Sequence, residues 1–385
     1  MSARIQRSSL WLASPRIEFW LFLASAPLAS LFLVPYFVWG QAAVAPTYAA
    51  HILLFSLPHH LLTWMASTPQ AVRRPLRMDL VAMATVVGLA ITALVPLTAG
   101  TPASEWLLTG IFVLSVWHLY RQHFGVCKMY DFVQSKRSGD RTLAADRRSL
   151  DTFLGLGSFA IIVYVLTLPS LEFSASDVEH YRFAYPHVPV AVFWAYLAVT
   201  IATGIWALWR CVFSRLRRGL QVPWPQLGIV TLTVAIHNLP FVLLPAEALP
   251  LVIAAASVFH NLQYFGFVWI FERARSKELA EVGTTLGLPQ RLALRGAWPT
   301  YFGIAFGYAF AVGGATLVLP REMGALLVYA SSLTHYVVDG VIWRRGWNGT
   351  ISTTLAALAG VAPALGSASE TTARPAASAE REVRA

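Results

Sequence analysis

Charged side chains are scarce: Asp, Glu, Lys and Arg make up 12% of the 385 residues, where a soluble domain carries about 25%. That shortage excludes an ordinary water-soluble fold. Apolar residues fill the gap at 56% of the chain, and mean hydropathy is +0.57, so the composition is that of a membrane protein. No stretch is long and polar enough to fold as a separate soluble domain. No clear internal repeat is visible, which argues against an inverted-repeat transporter. The first apolar run exceeds a signal h-region and lacks a small-residue cleavage site, so no cleavable signal is expected.

Long apolar runs stand in their place. Stretches of about 20 residues, the length of a spanning helix, occur near 18–39, 47–68, 79–98, 105–127, 151–169, 189–212, 226–245, 248–271, 298–318 and 322–343. Lipid offers no partner to a free backbone group, so each run is expected to be helical. The expected fold is therefore all-α, a polytopic transmembrane helical bundle of about ten spans within residues 1–345. Residues 346–385 read as a C-terminal tail, largely disordered from about 367, where Ala, Ser, Thr, Glu and Arg prevail.

The net charge is +10, yet basic residues are nearly missing from alternate connections. Arg4, Arg7 and Arg16 precede the first run, Arg73, Arg74 and Arg77 follow the second, and Lys136, Arg137, Arg141, Arg147 and Arg148 follow the fourth. Arg215, Arg217 and Arg218 follow the sixth, Arg273, Arg275 and Lys277 the eighth, and Arg344 and Arg345 the tenth. The other loops hold only Arg182 and Arg321. This positive-inside pattern puts both termini in the cytoplasm and makes the chain a multi-pass protein of the inner (cytoplasmic) membrane. Basic residues so placed set orientation and meet membrane lipid; no nucleic acid is needed to explain them. Cys127 and Cys211 fall near cytoplasmic helix ends and are expected to be free thiols. The stretch 135–149 reads as a mobile charged loop, and 278–296 as partly interfacial.

Polar groups inside the spans are few and grouped. The second run carries "LPHH" (57–60), the fourth His118, Arg121, Gln122 and His123, and the seventh "IHNLP" (236–240). The eighth carries "FHNLQY" (259–264) and the tenth "THYVVDGVIW" (334–343). Ionisable groups at membrane depth are costly and mark function. His60 lies 13 positions before Arg73, His260 13 before Arg273, His118 ten before Lys128 and His335 nine before Arg344. At 1.5 Å rise these offsets are about 13–20 Å, so four helices bring histidines to one layer. His51, His180 and His187 fall near the outer face and are expected to be solvated.

Helical spacing sharpens the layer. His335 and Asp339 share a face, as do His260, Gln263 and Tyr264, and as do His118, Arg121 and Gln122. His123 is five positions from His118, about 140° round an ideal helix, so the two do not aim at one atom. Two metals, a bend near Gly125 or a supporting role for one of them would reconcile this. His237, on a span running the other way, reads equally as helix–helix glue. Imidazoles with one carboxylate suit iron, zinc or copper(II), and no thiolate lies in the layer to suit an iron–sulfur or copper(I) site. Asp339, Gln263, Asn261 and Asn238 are placed to orient ligating rings.

At "SLPHHLLTW" and "RQHFGVCKMYD" the chain resembles the Brp/Blh family of membrane β-carotene 15,15′-dioxygenases. That family has "PHG" and "HFG…D" segments on transmembrane helices, with histidines proposed to hold iron. The match covers about 20 residues and carries to His59 and to His123 with Phe124 and Gly125, extending to Asp131. "PHH" stands here for "PHG", and "FHNLQY" and "THYVVDGVIWR" stand where the family has later paired histidines. These two segments resemble uncharacterised His-rich bacterial multi-pass membrane proteins.

The leading expectation is a histidine-ligated membrane metalloenzyme, iron-dependent and O₂-using, acting on a lipophilic substrate. The resemblance implies a carotenoid; another lipid fits the residues equally. His59, His60, His118, His123, His260 and His335 are the candidate metal ligands, and Asp339, Gln263, Tyr264, Arg121 and Gln122 the candidate catalytic residues. Arg121 also fits snorkelling to headgroups. Two alternatives stand: a haem protein with axial histidines, and a transporter or proton channel with a His/Asp relay.

Overall fold

The computed structural model describes residues 11–12, 14–67, 78–97, 101–138, 140, 142–174, 180–281, 283–319, 321–343 and 349–360. Arg4, Arg7, Arg73, Arg74, Arg77, Arg141, Arg344, Arg345 and the tail from 361 lie outside the described residues. So does the side chain of His180.

The fold is an all-α bundle, with a helix at each of the ten apolar runs. Two arms, α1 (residues 15–39) and α2 (residues 44–66), open the chain. They are followed by α3 (Met78–Leu97), α4 (Pro102–Ser138), α5 (Leu143–Val165), α6 (Val190–Arg217), α7 (Trp224–Leu243) and α8 (Leu249–Glu281). Then come α9 (Leu288–Leu294), α10 (Trp298–Val318), α11 (Arg321–Ile342) and α12 (Gly349–Leu358). A two-stranded antiparallel ribbon, β1 (Glu172–Ser174) and β2 (His180–Arg182), lies between α5 and α6. By length and apolarity alone, five helical runs among the described residues can cross a membrane, one of them the whole of Pro15–Ala66. The polar stretch from His118 to His123 weighs against α4 in such a reckoning.

Prolines shape the first two arms. Pro27, Pro35, Pro46 and Pro58 each lack the N–H that would bond the carbonyl four residues earlier. Those earlier positions fall in the irregular segments Phe19–Leu23, Leu31–Leu33, Gly40–Ala43 and Ile52–Ser56, which are π or 3₁₀ turns. At Gly40, with φ 58° and ψ −140°, the chain reverses. Phe32 and Phe55 consequently stack edge to face at 5.4 Å, where a straight helix would hold them about 35 Å apart. Residues 15–66 thus fold back as two antiparallel arms.

Both arms lie against α8, the axis of the bundle. In its apolar window 83% of residues are buried, against 22% in α6 and 17% in α10, which form an exposed apolar wall. Gly266 lets α1 approach closely, since a Cβ there would sit 2.7 Å from Cβ of Leu21. Most exposed tryptophans gather at two levels, Trp39, Trp106 and Trp194 at one end of the helices and Trp20, Trp206, Trp209, Trp224 and Trp298 toward the other, with Trp117 between them. Two such belts are what membrane interfaces select.

The second belt lies at the basic end, where ion pairs close the bundle. Asp146 accepts from Arg218 at 2.6 Å, Arg215 at 2.9 Å and Arg210 at 3.1 Å. Asp140 also pairs with Arg215, and Arg147 with Asp131. The expected mobile loop over 135–149 is therefore mostly helix, because α4 runs to Ser138 and α5 begins at Leu143. Gln290 of α9 donates to Glu272 at 3.0 Å, so the 278–296 segment is anchored on α8. Ile351 and Leu355 of α12 are buried in the same core. Cys127 and Cys211 are free and buried.

Candidate metal centre

Four helices meet at one buried point. His59 comes from α2, His118 from α4, and His335 and Asp339 from α11, with His260 of α8 alongside. In His59, His118, His335 and Asp339 the ligand atoms all lie within 4.8 Å of one another. Ring centres of His59 and His118 are each 4.8 Å from that of His335. His260 lies 5.1 Å from His59 and 5.0 Å from His118.

The carboxylate of Asp339 is held by one oxygen and presented by the other. Oδ1 accepts from Tyr264 at 2.8 Å, Thr63 at 3.0 Å and Trp343 at 3.2 Å. Oδ2 faces Nε2 of His118 at 3.8 Å and of His59 at 3.9 Å. Three donors on one oxygen fix the group and leave Oδ2 free toward the imidazoles, the usual arrangement behind a ligating carboxylate.

Both ring nitrogens of His59, His260 and His335 are buried without a hydrogen-bond partner, as is Nε2 of His118. An unsatisfied buried polar group costs about 1–3 kcal/mol. The set together amounts to on the order of 10 kcal/mol, comparable with the whole stability of a domain. A transition metal is a partner that imidazole and carboxylate share. The donors fit a metal ion.

The neighbouring His60 differs from His59. Its Nδ1 meets Ser331 at 2.8 Å, its Nε2 meets Ser56 at 3.2 Å, and its ring stacks on His335 at 4.0 Å. With both nitrogens engaged it braces the site. His123 turns to the far side of His260, 5.7 Å away, with Nδ1 bonded to Gln263 at 2.8 Å. Gln122 donates to the carbonyl of His260 at 3.0 Å and so fixes the backbone of α8. Arg121 is exposed, its guanidinium over Phe124 at 5.4 Å and Trp117 at 5.6 Å, and does not reach the cluster. Asp131 pairs with Arg147 and Lys128 at the basic end. Asn238 donates to Gly157 and Val234, and Asn261 to Ser257, so of the amides only Gln263 orients a ring.

Four partners, Ser56, Thr63, Ser331 and Trp343, escaped the sequence reading although their spacing announces them. Ser331, His335, Asp339 and Trp343 recur every fourth residue along one face of α11, and Ser56 with His60 and His59 with Thr63 repeat the step on α2. His51, expected to be solvated, is buried and lines a cavity, because it falls on the inward face of α2; His187 is exposed.

That cavity holds about 440 Å³. Its walls are largely apolar, including Leu108, Ile111, Phe112, Leu119 and Ile253, and Glu172 and Glu247 stand at the end remote from the basic residues. Its inner end reaches Ser56, Ser115 and Tyr336. Ser56 touches His60, and the Tyr336 ring stacks on His118 at 4.3 Å. Comparison with protein families, curated proteins and solved structures finds no match.

Proposed function

We propose that the chain is an integral-membrane metalloenzyme, iron-dependent and O₂-using, that oxidises a lipophilic substrate. The observation that carries this reading is a buried three-histidine, one-carboxylate donor set one side chain away, through Tyr336, from the inner end of an apolar cavity. His59, His118, His335 and Asp339 would hold the ion. Histidine–carboxylate sets with open positions suit iron(II), which when bound supplies oxygen chemistry to an unactivated hydrocarbon.

The chain's own residues perform the rest. Along α4 the cavity runs from Leu108 to Leu119, about 16 Å of helix, which suits an extended chain such as a carotenoid or an acyl lipid. Its apolar wall binds that chain and excludes water from the reacting end. Tyr336, which donates to Ser115 at 3.1 Å, stands between the cavity and His118 and positions the substrate's inner end. Tyr264 and Thr63 hold Asp339 in place. The basic end lies in the cytoplasm on this reading, in the inner membrane, and the cavity faces the other side.

Elemental analysis of purified protein tests the proposal. Iron is expected in stoichiometric amount, together with oxygen consumption on adding carotenoid or lipid extract. His118→Ala and His335→Ala should each lose one iron per chain together with the oxygen consumption. A preparation without metal, or one whose metal content neither substitution lowers, overturns it. An absorption spectrum with a Soret band would favour haem instead.

A further inference from the structure

His123, His237 and His260 form a second group of imidazoles on the side of His260 away from the tyrosine-held carboxylate. His123 comes from α4, His237 from α7 and His260 from α8, and their side chains are all buried. The ring of His123 lies 5.7 Å from that of His260 and 6.2 Å from that of His237. Neither nitrogen of His237 or of His260 has a hydrogen-bond partner, and neither has Nε2 of His123.

The state of His123 is fixed by its neighbour. Gln263 donates its amide N–H to the carbonyl of Phe22 at 3.0 Å, so its Oε1 is the atom that meets Nδ1 of His123 at 2.8 Å. Nδ1 must therefore carry the proton, and Nε2 presents a bare lone pair in a buried place. A ring held by its other nitrogen is the arrangement that supports a metal-ligating histidine. Among the described residues, none uses this lone pair.

We propose that His123, His237 and His260 hold a second metal ion beside the first. Two imidazoles on one ion, with nitrogens about 2.1 Å from it, have ring centres no more than about 6.5 Å apart; His123 lies inside that limit from both His260 and His237 and is the ring the other two would share an ion with. All-imidazole sites without thiolate suit iron, zinc or copper(II). His260, at 5.0–5.1 Å from His118 and His59, stands between the two groups and is the residue through which one site would feel the other. The second site rests on donors other than His59, His118, His335 and Asp339, so it stands or falls separately from the first.

Counting ions decides it. Full-length protein, purified in detergent from cells given iron and zinc, is assayed for total metal per chain beside His237→Ala, His237→Asn and His335→Ala. Two ions are expected in the unaltered chain, and one in each His237 variant. If the unaltered chain holds one ion that is kept in both His237 variants and lost in His335→Ala, the second site is overturned and the first stands. If no preparation holds metal, both fall. Where a variant fails to fold, the chelator-stripped unaltered chain is titrated with zinc: two binding steps support the proposal, and one step overturns it.

Discussion

The Tyr264 hydroxyl donates to Oδ1 of Asp339 at 2.8 Å while Oδ2 of the same carboxylate faces His59 and His118. A side chain on α8 therefore sets the aim of a donor on α11. Tyr264→Phe removes one of three bonds and leaves Thr63 and Trp343 in place. Outer partners of this kind are worth about 10–100-fold in metal affinity. Competition with a chromophoric chelator should show a loss of that size, with the bundle still folded.

His59 and His60 should separate cleanly. His59→Ala removes a donor of the metal group and should abolish its occupancy. His60→Ala removes a ring whose nitrogens already bond Ser331 and Ser56, so metal content should persist. The cost should appear instead as about 1–3 kcal/mol of stability, read from thermal melting in detergent.

Filling the cavity tests substrate binding apart from metal. Ile253 lines its wall, and Ile253→Trp places an indole in the space. Metal content should be unchanged, while lipid co-purifying with the protein and any oxygen-consuming turnover should fall together. Mass spectrometry of the extracted lipid is the direct measurement.

The basic end gives a pH dependence. Burial pushes the Asp140 carboxyl up, but bonds from Arg215 and Thr142 outweigh it and hold the value below the ordinary 3.8. A depressed carboxylate contributes stability that is present above the unfolded value and lost as pH falls through the folded one. The melting temperature of Asp140→Asn should lie below that of the unaltered chain at neutral pH, and the gap should close on acidification. Asp146→Ala leaves Arg215, which is 1% exposed, with Asp140 as its remaining carboxylate, and should destabilise by about 1–3 kcal/mol at neutral pH.

Much of this arrangement could be read from residue spacing. Distance from the basic ends placed His60, His118, His260 and His335 in one layer, because helical rise converts residue number into depth. Depth does not give bearing. His118 and Arg121 are three positions apart, yet one enters the cluster and the other lies outside on Trp117 and Phe124. The angular conflict between His118 and His123 was real, and the chain answers it with opposite sides of His260. Which of His59 and His60 faces the carboxylate depends on a π turn whose proline is visible in the sequence but whose phase is not. Partners such as Asp146 and Arg215 lie 69 residues apart, and no local rule joins them.

The bond from Gln263 to the carbonyl of Phe22 also has a place in time. Chains emerge N-terminus first, so the arm carrying Phe22 is available long before α8 is made. When α8 arrives, that carbonyl turns the glutamine amide one way round, and the amide in turn decides which nitrogen of His123 is bare. A helix that contributes no donor to the metal group thereby decides the state of His123: only a chain whose first arm has docked presents Nε2 of this histidine as the bare nitrogen.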